Sequence, residues 1–89
     1  MRTIHKFNLP VEPFVVPGGI RVVHVGPDPA DPGRDLPTVW VERDLDHMDG
    51  RLGVLFVGTG HDIPEGVVHV GSAQFGPFIW HVYQASRVL

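Results

Sequence analysis

The chain has six histidines in 89 residues, and three of them fall in or beside consecutive β-like segments. His61 closes GTGH, His69 sits in VHVG and His81 in WHVY. If those segments were neighbours, three imidazoles would converge on one metal, the ligand number a catalytic zinc site uses. The spacing does not carry the reading that far, because there is no H-x-H pair and no HExxH helix. Half-buried strand positions that donate to backbone carbonyls explain the same residues. No metal and no cofactor is therefore expected, and His5, His24 and His47 lie elsewhere in the chain.

The most pointed local motif is Gly58-Thr59-Gly60-His61-Asp62. Paired glycines expose amides that can hold an anion. The segment lacks the lysine and the helix start of a phosphate loop, so a bend ending a strand is the simpler expectation. Thr59 and His61, with His69 and His81, are the candidate ligand-binding residues. Asp44, Asp46 and Asp49 before Gly50 look like a calcium loop, but Met48 and Leu55 stand where that loop needs an oxygen ligand and a glutamate. Neither Ser72 nor Ser86 lies in a G-x-S-x-G elbow. Asp62 follows His61 directly, and neighbours on an extended chain point apart. No catalytic residue is assigned. A small metal-dependent hydrolase would need His61, His69 and His81 together with Asp62 or Glu65.

The elements that position these residues read as strands. Glycine and proline make up 20 of the 89 residues, and no window shows a 3.6-residue apolar period. Runs of Val, Ile, Phe and Trp between turn signals predict strands at 2–9, 20–25, 38–44, 52–59, 67–74 and 78–84. A further edge piece is expected at 14–16, before the Pro17-Gly18 turn. The expected fold is all-β, a small antiparallel β-sandwich or partly open barrel of six to seven strands in a single domain, 1–89.

Strand 52–59 is apolar on both faces and should be central. The N-terminal strand should be an outer one. Residues 44–51, DLDHMDGR, end in Asp-Gly and are expected to close a hairpin, the first step of a meander running to residue 84. Residues 26–37, GPDPADPGRDLP, are expected to form a projecting or mobile loop, too proline-rich to pair and too polar to pack.

A chain this short buries only about 60–65% of its unfolded surface, so its core is thin. With no cysteine, histidine and carboxylate metal sites or self-association are the remaining supports. From Gly66 to Leu89 the only charged residue is Arg87, which suggests strands covered on both faces by the domain or by a second copy. Trp40, Phe78, Trp80 and Tyr83 are the expected interface residues. The formal net charge is −3 and the basic residues are scattered, which argues against nucleic acid. No apolar run is long enough to span a membrane, and MRTIHKFNLPVEP has no signal-peptide core, so no membrane partner is expected.

MRTIHKF, TVWVERD, FVGTGHDIP, HVGSAQFGPF and the closing WHVY together resemble a family of small uncharacterised proteins of tailed bacteriophages and actinobacteria. The resemblance covers nearly the whole chain and departs mainly at 26–37. It implies an accessory phage product in the host cytoplasm and carries no catalytic role. The function expected is non-enzymatic: self-association as a homo-oligomer and binding of a host macromolecule, a host bacterial protein being the candidate partner. The alternative is a small-molecule or metal-binding module near the Gly-Thr-Gly-His segment.

Overall fold

In the computed structural model, which describes residues 1–85, seven antiparallel strands form two sheets that do not close into a barrel. They are β1 Arg2–Phe7, β2 Phe14–Pro17, β3 Gly19–Gly26, β4 Thr38–Asp44, β5 Arg51–Gly58, β6 Val68–Phe75 and β7 Phe78–Ala85. Sheet A has the order β1-β4-β3 and sheet B the order β2-β5-β7-β6. The all-β sandwich is as expected, and Ser86 and Arg87 lie outside the described residues.

Alternation builds the core. Val39 and Val41 of β4, Val22 of β3, Leu52, Val54 and Phe56 of β5, Val16 of β2 and Val82 of β7 meet between the sheets, with Leu9 at one end. On the other face of β5, Leu55 and Val57 are only 6% and 5% exposed. Their cross-strand partners, Tyr83 and His81, share that face. The strand at 52–59 is thus interior to its sheet and buried on both sides. β1 is an outer strand whose Thr3 and Phe7 are half-buried while Ile4 is exposed.

Two expected pairings are not formed. The 44–51 segment closes no hairpin, because β4 pairs with β1 and β3, whereas β5 pairs with β2 and β7. It crosses instead from sheet A to sheet B beside the Pro17-Gly18 corner. Gly18 N–H donates to the Gly50 carbonyl at 2.6 Å, and Asp44 N–H donates to the Gly18 carbonyl at 2.9 Å. The two crossings satisfy each other's backbone groups, which a hairpin would have done internally. Nor is there a meander, since β7 lies between β5 and β6. Among the described residues only β6 and β7 form a tight hairpin. Its turn has Gly76 at φ 59°, the left-handed first position of a two-residue turn, followed by Pro77.

The 26–37 loop is not a projection. Asp28 is buried, and its carboxylate accepts from Lys6 Nζ at 3.0 Å, Asn8 Nδ2 at 2.9 Å and its own loop's Ala30 N–H at 3.0 Å. Pro37 and Thr38 are fully buried, and Leu36 packs on the core. Arg34 Nη2 donates to the carbonyls of Leu9 and Pro37, at 2.6 and 3.1 Å. Asp28 and Arg34 pack because each finds a partner in β1 or just after it, Asp28 at Lys6 and Asn8 and Arg34 at the Leu9 carbonyl.

These donors, Asn8 foremost, hold the Asp28 carboxyl at about 2, below the ordinary 3.8. A depressed folded-state value means the contribution is present above pH 3.8 and is lost as the pH falls toward 2. Asp28→Asn should therefore lower Tm by on the order of 5 °C at neutral pH and flatten the acid limb of a thermal-melt series. Asp31→Asn should change neither, and equal melts for both variants would contradict the anchor.

Candidate functional site

The two outer faces of the sandwich differ in charge. The outer face of sheet A carries Arg2, Lys6, Arg21, Glu42 and Asp44, while Arg43 shares the register of inward-facing Val39 and Val41 and lies over the Phe7 ring; the strands of sheet B carry only Arg51, at the first position of β5. On sheet A, Glu42 accepts from Arg21 Nε at 2.9 Å and from Arg2. The Arg21 guanidinium first, then that of Arg2, holds the Glu42 carboxyl below its usual range. This is a solvated face of compensated charge.

The outer face of sheet B holds a chain of uncharged polar groups. Thr59 Oγ1 and His81 Nε2 share a hydrogen bond at 3.1 Å, and Ser72 Oγ bonds to His81 Nδ1 at 2.8 Å and to His69 Nε2 at 2.9 Å. The Tyr83 ring lies edge-on to His69 at 5.2 Å. One proton order satisfies the whole chain. His81 Nε2–H donates to Thr59, Ser72 O–H donates to His81 Nδ1, and His69 Nε2–H donates to Ser72. The reversed order does so equally.

Thr59, His69 and His81 are thus brought together, and the residue that joins them is Ser72, which was not among the candidate ligand-binding residues. The reason lies in the register shift between His69 and Gly71. In a regular strand His69 and Ser72, three apart, would face opposite sides. The bulge places His69 opposite Tyr83 and Ser72 opposite His81, both on the outer face. Gly71 is the sequence signal for it, since a glycine inside a strand pattern marks a bulge or a close approach. Here it marks both, because a Cβ at Gly71 would lie 2.8 Å from Val25 Cγ2 of the opposing sheet.

His61 stands apart from this chain. Its N–H donates to the Gly58 carbonyl at 3.0 Å, closing the turn that ends β5. The ring lies over Gly58, where a Cβ would meet it at 3.0 Å. With Gly58, Thr59, Pro77, Phe78, Ile79 and Trp80 it lines a hollow of about 420 Å³. A second hollow of about 570 Å³ shares Pro77, Phe78 and Trp80 and is walled on its far side by loop residues that include Arg34 and Leu36. Phe78 is 65% exposed between the two. Of the expected interface residues, Trp80 is half-buried against the core. Tyr83 lies on the outer face of sheet B, opposite Leu55. Trp40 is on the other side of the molecule, its ring 4.9 Å from that of His24 on sheet A.

The chemistry this permits is limited. Ser72 against an imidazole has the separation of a nucleophile and its base. The far nitrogen of that ring meets a neutral threonine hydroxyl, however, not a carboxylate able to stabilise an imidazolium. Among the described residues, no three His, Cys, Asp or Glu side chains come together to hold a metal ion. The three-histidine arrangement that a metal-dependent hydrolase requires is not assembled.

A family described as a domain of unknown function, DUF7352, matches residues 1–88, and the chain belongs to it. This agrees with the whole-chain resemblance to an uncharacterised family. No curated protein and no solved structure matches the chain. No helix of the described chain is long and apolar enough to cross a membrane.

Ser72→Ala removes the oxygen shared by the two rings. The side-chain nitrogen resonances of His69 and His81 should both shift in ¹⁵N NMR, while those of His61 stay in place. Unchanged His69 and His81 spectra would contradict the hydrogen-bonded chain.

Proposed function

We propose that this member of the DUF7352 family is a non-enzymatic binding protein, acting through its own copies and a macromolecule of a bacterial host, with the β6–β7 hairpin as contact surface. The observation that carries the reading is the exposure of an uncharged hairpin. Phe78, Val68 and Ile79 are 65%, 63% and 45% exposed, and neither strand bears an Asp, Glu, Lys or Arg. Charge is the usual means by which an exposed strand stays unassociated, and its omission here leaves an apolar surface that association would cover. The absence of a carboxylate on His81 supports the non-enzymatic part. The resemblance to phage proteins supports an accessory product in the host cytoplasm, and the scattered basic residues count against nucleic acid as partner.

The hollow beside Thr59 and His61 favours a second reading, a small-molecule module. Its size lies within the range of ligand pockets, and Phe78, Trp80 and His61 offer ring faces to a planar ligand.

Under the first reading the amides of β6 and β7 should exchange more slowly when the protein concentration is raised about a hundredfold, because mass action fills the contact. Those of β1 and β4 should not change. A host protein captured by the wild type should be lost with Phe78→Ser. Concentration-independent exchange throughout, with no capture that depends on Phe78, would overturn the proposal.

A further inference from the structure

Among the described residues the two sheets end in four edge strands, β1 and β3 in sheet A and β2 and β6 in sheet B. An edge presents unpaired amides and carbonyls, which proteins block with charge, proline, shortness or bulges. Three of these edges are blocked. β1 carries Arg2 and Lys6. β2 has four residues and ends on Pro17. β3 carries Arg21 and two register shifts, and its Val22 N–H is turned to Gln84 Oε1 of sheet B at 2.7 Å.

β6 has none of these devices over its second half. Its eight residues, VHVGSAQF, include no charge and no proline, and the bulge between His69 and Gly71 leaves Ser72–Phe75 in regular register with β7. Ser72, Ala73 and Gln74 are short or unbranched side chains, so another backbone can approach. We propose that the Ser72–Phe75 edge pairs antiparallel with the same edge of a second copy, joining two four-stranded sheets into one continuous sheet. This rests on the self-association reading above and names its geometry.

A second copy is the occupant that the charges favour. Across a two-fold axis the residue on the axis faces its own twin and its neighbours lie close to theirs, so a charge there would be set near its own copy. The chain has a net charge of −3, and the strands of sheet A carry six ionisable Asp, Glu, Lys or Arg side chains, yet this edge brings none together. The pairing also satisfies backbone groups that a monomer leaves to water, and antiparallel β6 against β6 extends the direction pattern sheet B already has.

The test is sedimentation equilibrium of the wild type, Gln74→Lys, Gln74→Glu and an equimolar mixture of the two variants. Gln74 is exposed on the regular half of β6, and its amide donates only locally, to the Gly76 carbonyl at 3.2 Å. The wild type should dimerise, each variant alone should do so at least about tenfold more weakly, and the mixture should recover the dimer by placing opposite charges across the axis. Recovery also shows that both variants are folded. A wild type that stays monomeric would remove the self-association reading itself and this geometry with it. Dimers unaffected by either variant, or variants whose mixture stays monomeric, would leave self-association standing and overturn the β6 pairing.

Discussion

Six of the nine buried side chains that form the central core are valines, so the space between the sheets is filled by short groups. Short side chains fill that space only if the backbones come near, and apolar interiors tolerate few voids. Where β3 meets β6 the approach is close, with Val25 seated against Gly71, which has no Cβ to obstruct it. The rest follows from that contact. The bulge at Gly71 shifts β6 by one residue, which turns Ser72 to the outer face and places its hydroxyl between two imidazoles. A packing requirement on the inside thus decides which polar groups meet on the outside.

The division of charge between the sheets has a related origin. β4 lies between two strands whose outer faces meet water, so Glu42 is free to bind Arg2 and Arg21 there. β5 is buried on both faces, and the side chains flanking Leu55 and Val57 on the outer side are the uncharged His81 and Tyr83. Ionised groups in their place would be partly desolvated beside apolar neighbours, at a cost that imidazole, hydroxyl and amide groups largely avoid. The neutrality of sheet B helps to bury β5, and it leaves the hairpin without electrostatic protection against association.

Much of this fold was legible in the sequence, and the limits have physical causes. Alternation of Leu52, Val54 and Phe56 with Leu55 and Val57 marks a strand buried on both sides, because side-chain direction along a strand is a local property. Strand pairing is not local. DLDHMDGR has the composition of a hairpin loop, yet it runs between sheets because Gly18, far off in sequence, satisfies its ends. The loop at 26–37 reads as polar and unpackable until Asp28 meets Lys6 and Asn8, about twenty residues earlier in the chain. In the candidate site, Thr59, His69 and His81 stand out by residue type. Ser72 does not, since its face depends on the bulge that Gly71 permits. His61 belongs to a turn and a hollow, not to the histidine chain, because Gly58-Thr59-Gly60-His61 closes on itself.

In the proposed function, an uncharged, exposed hairpin makes this chain associate with its own copies. Native mass spectrometry of tag-free protein from a bacterial host tests it most directly. A species at twice or a higher whole multiple of the 9.8 kDa chain, with no additional bound mass, is expected. A bare 9.8 kDa monomer at micromolar concentration would contradict it, and a monomer carrying the mass of a small molecule would shift the function to the hollow beside Thr59 and His61.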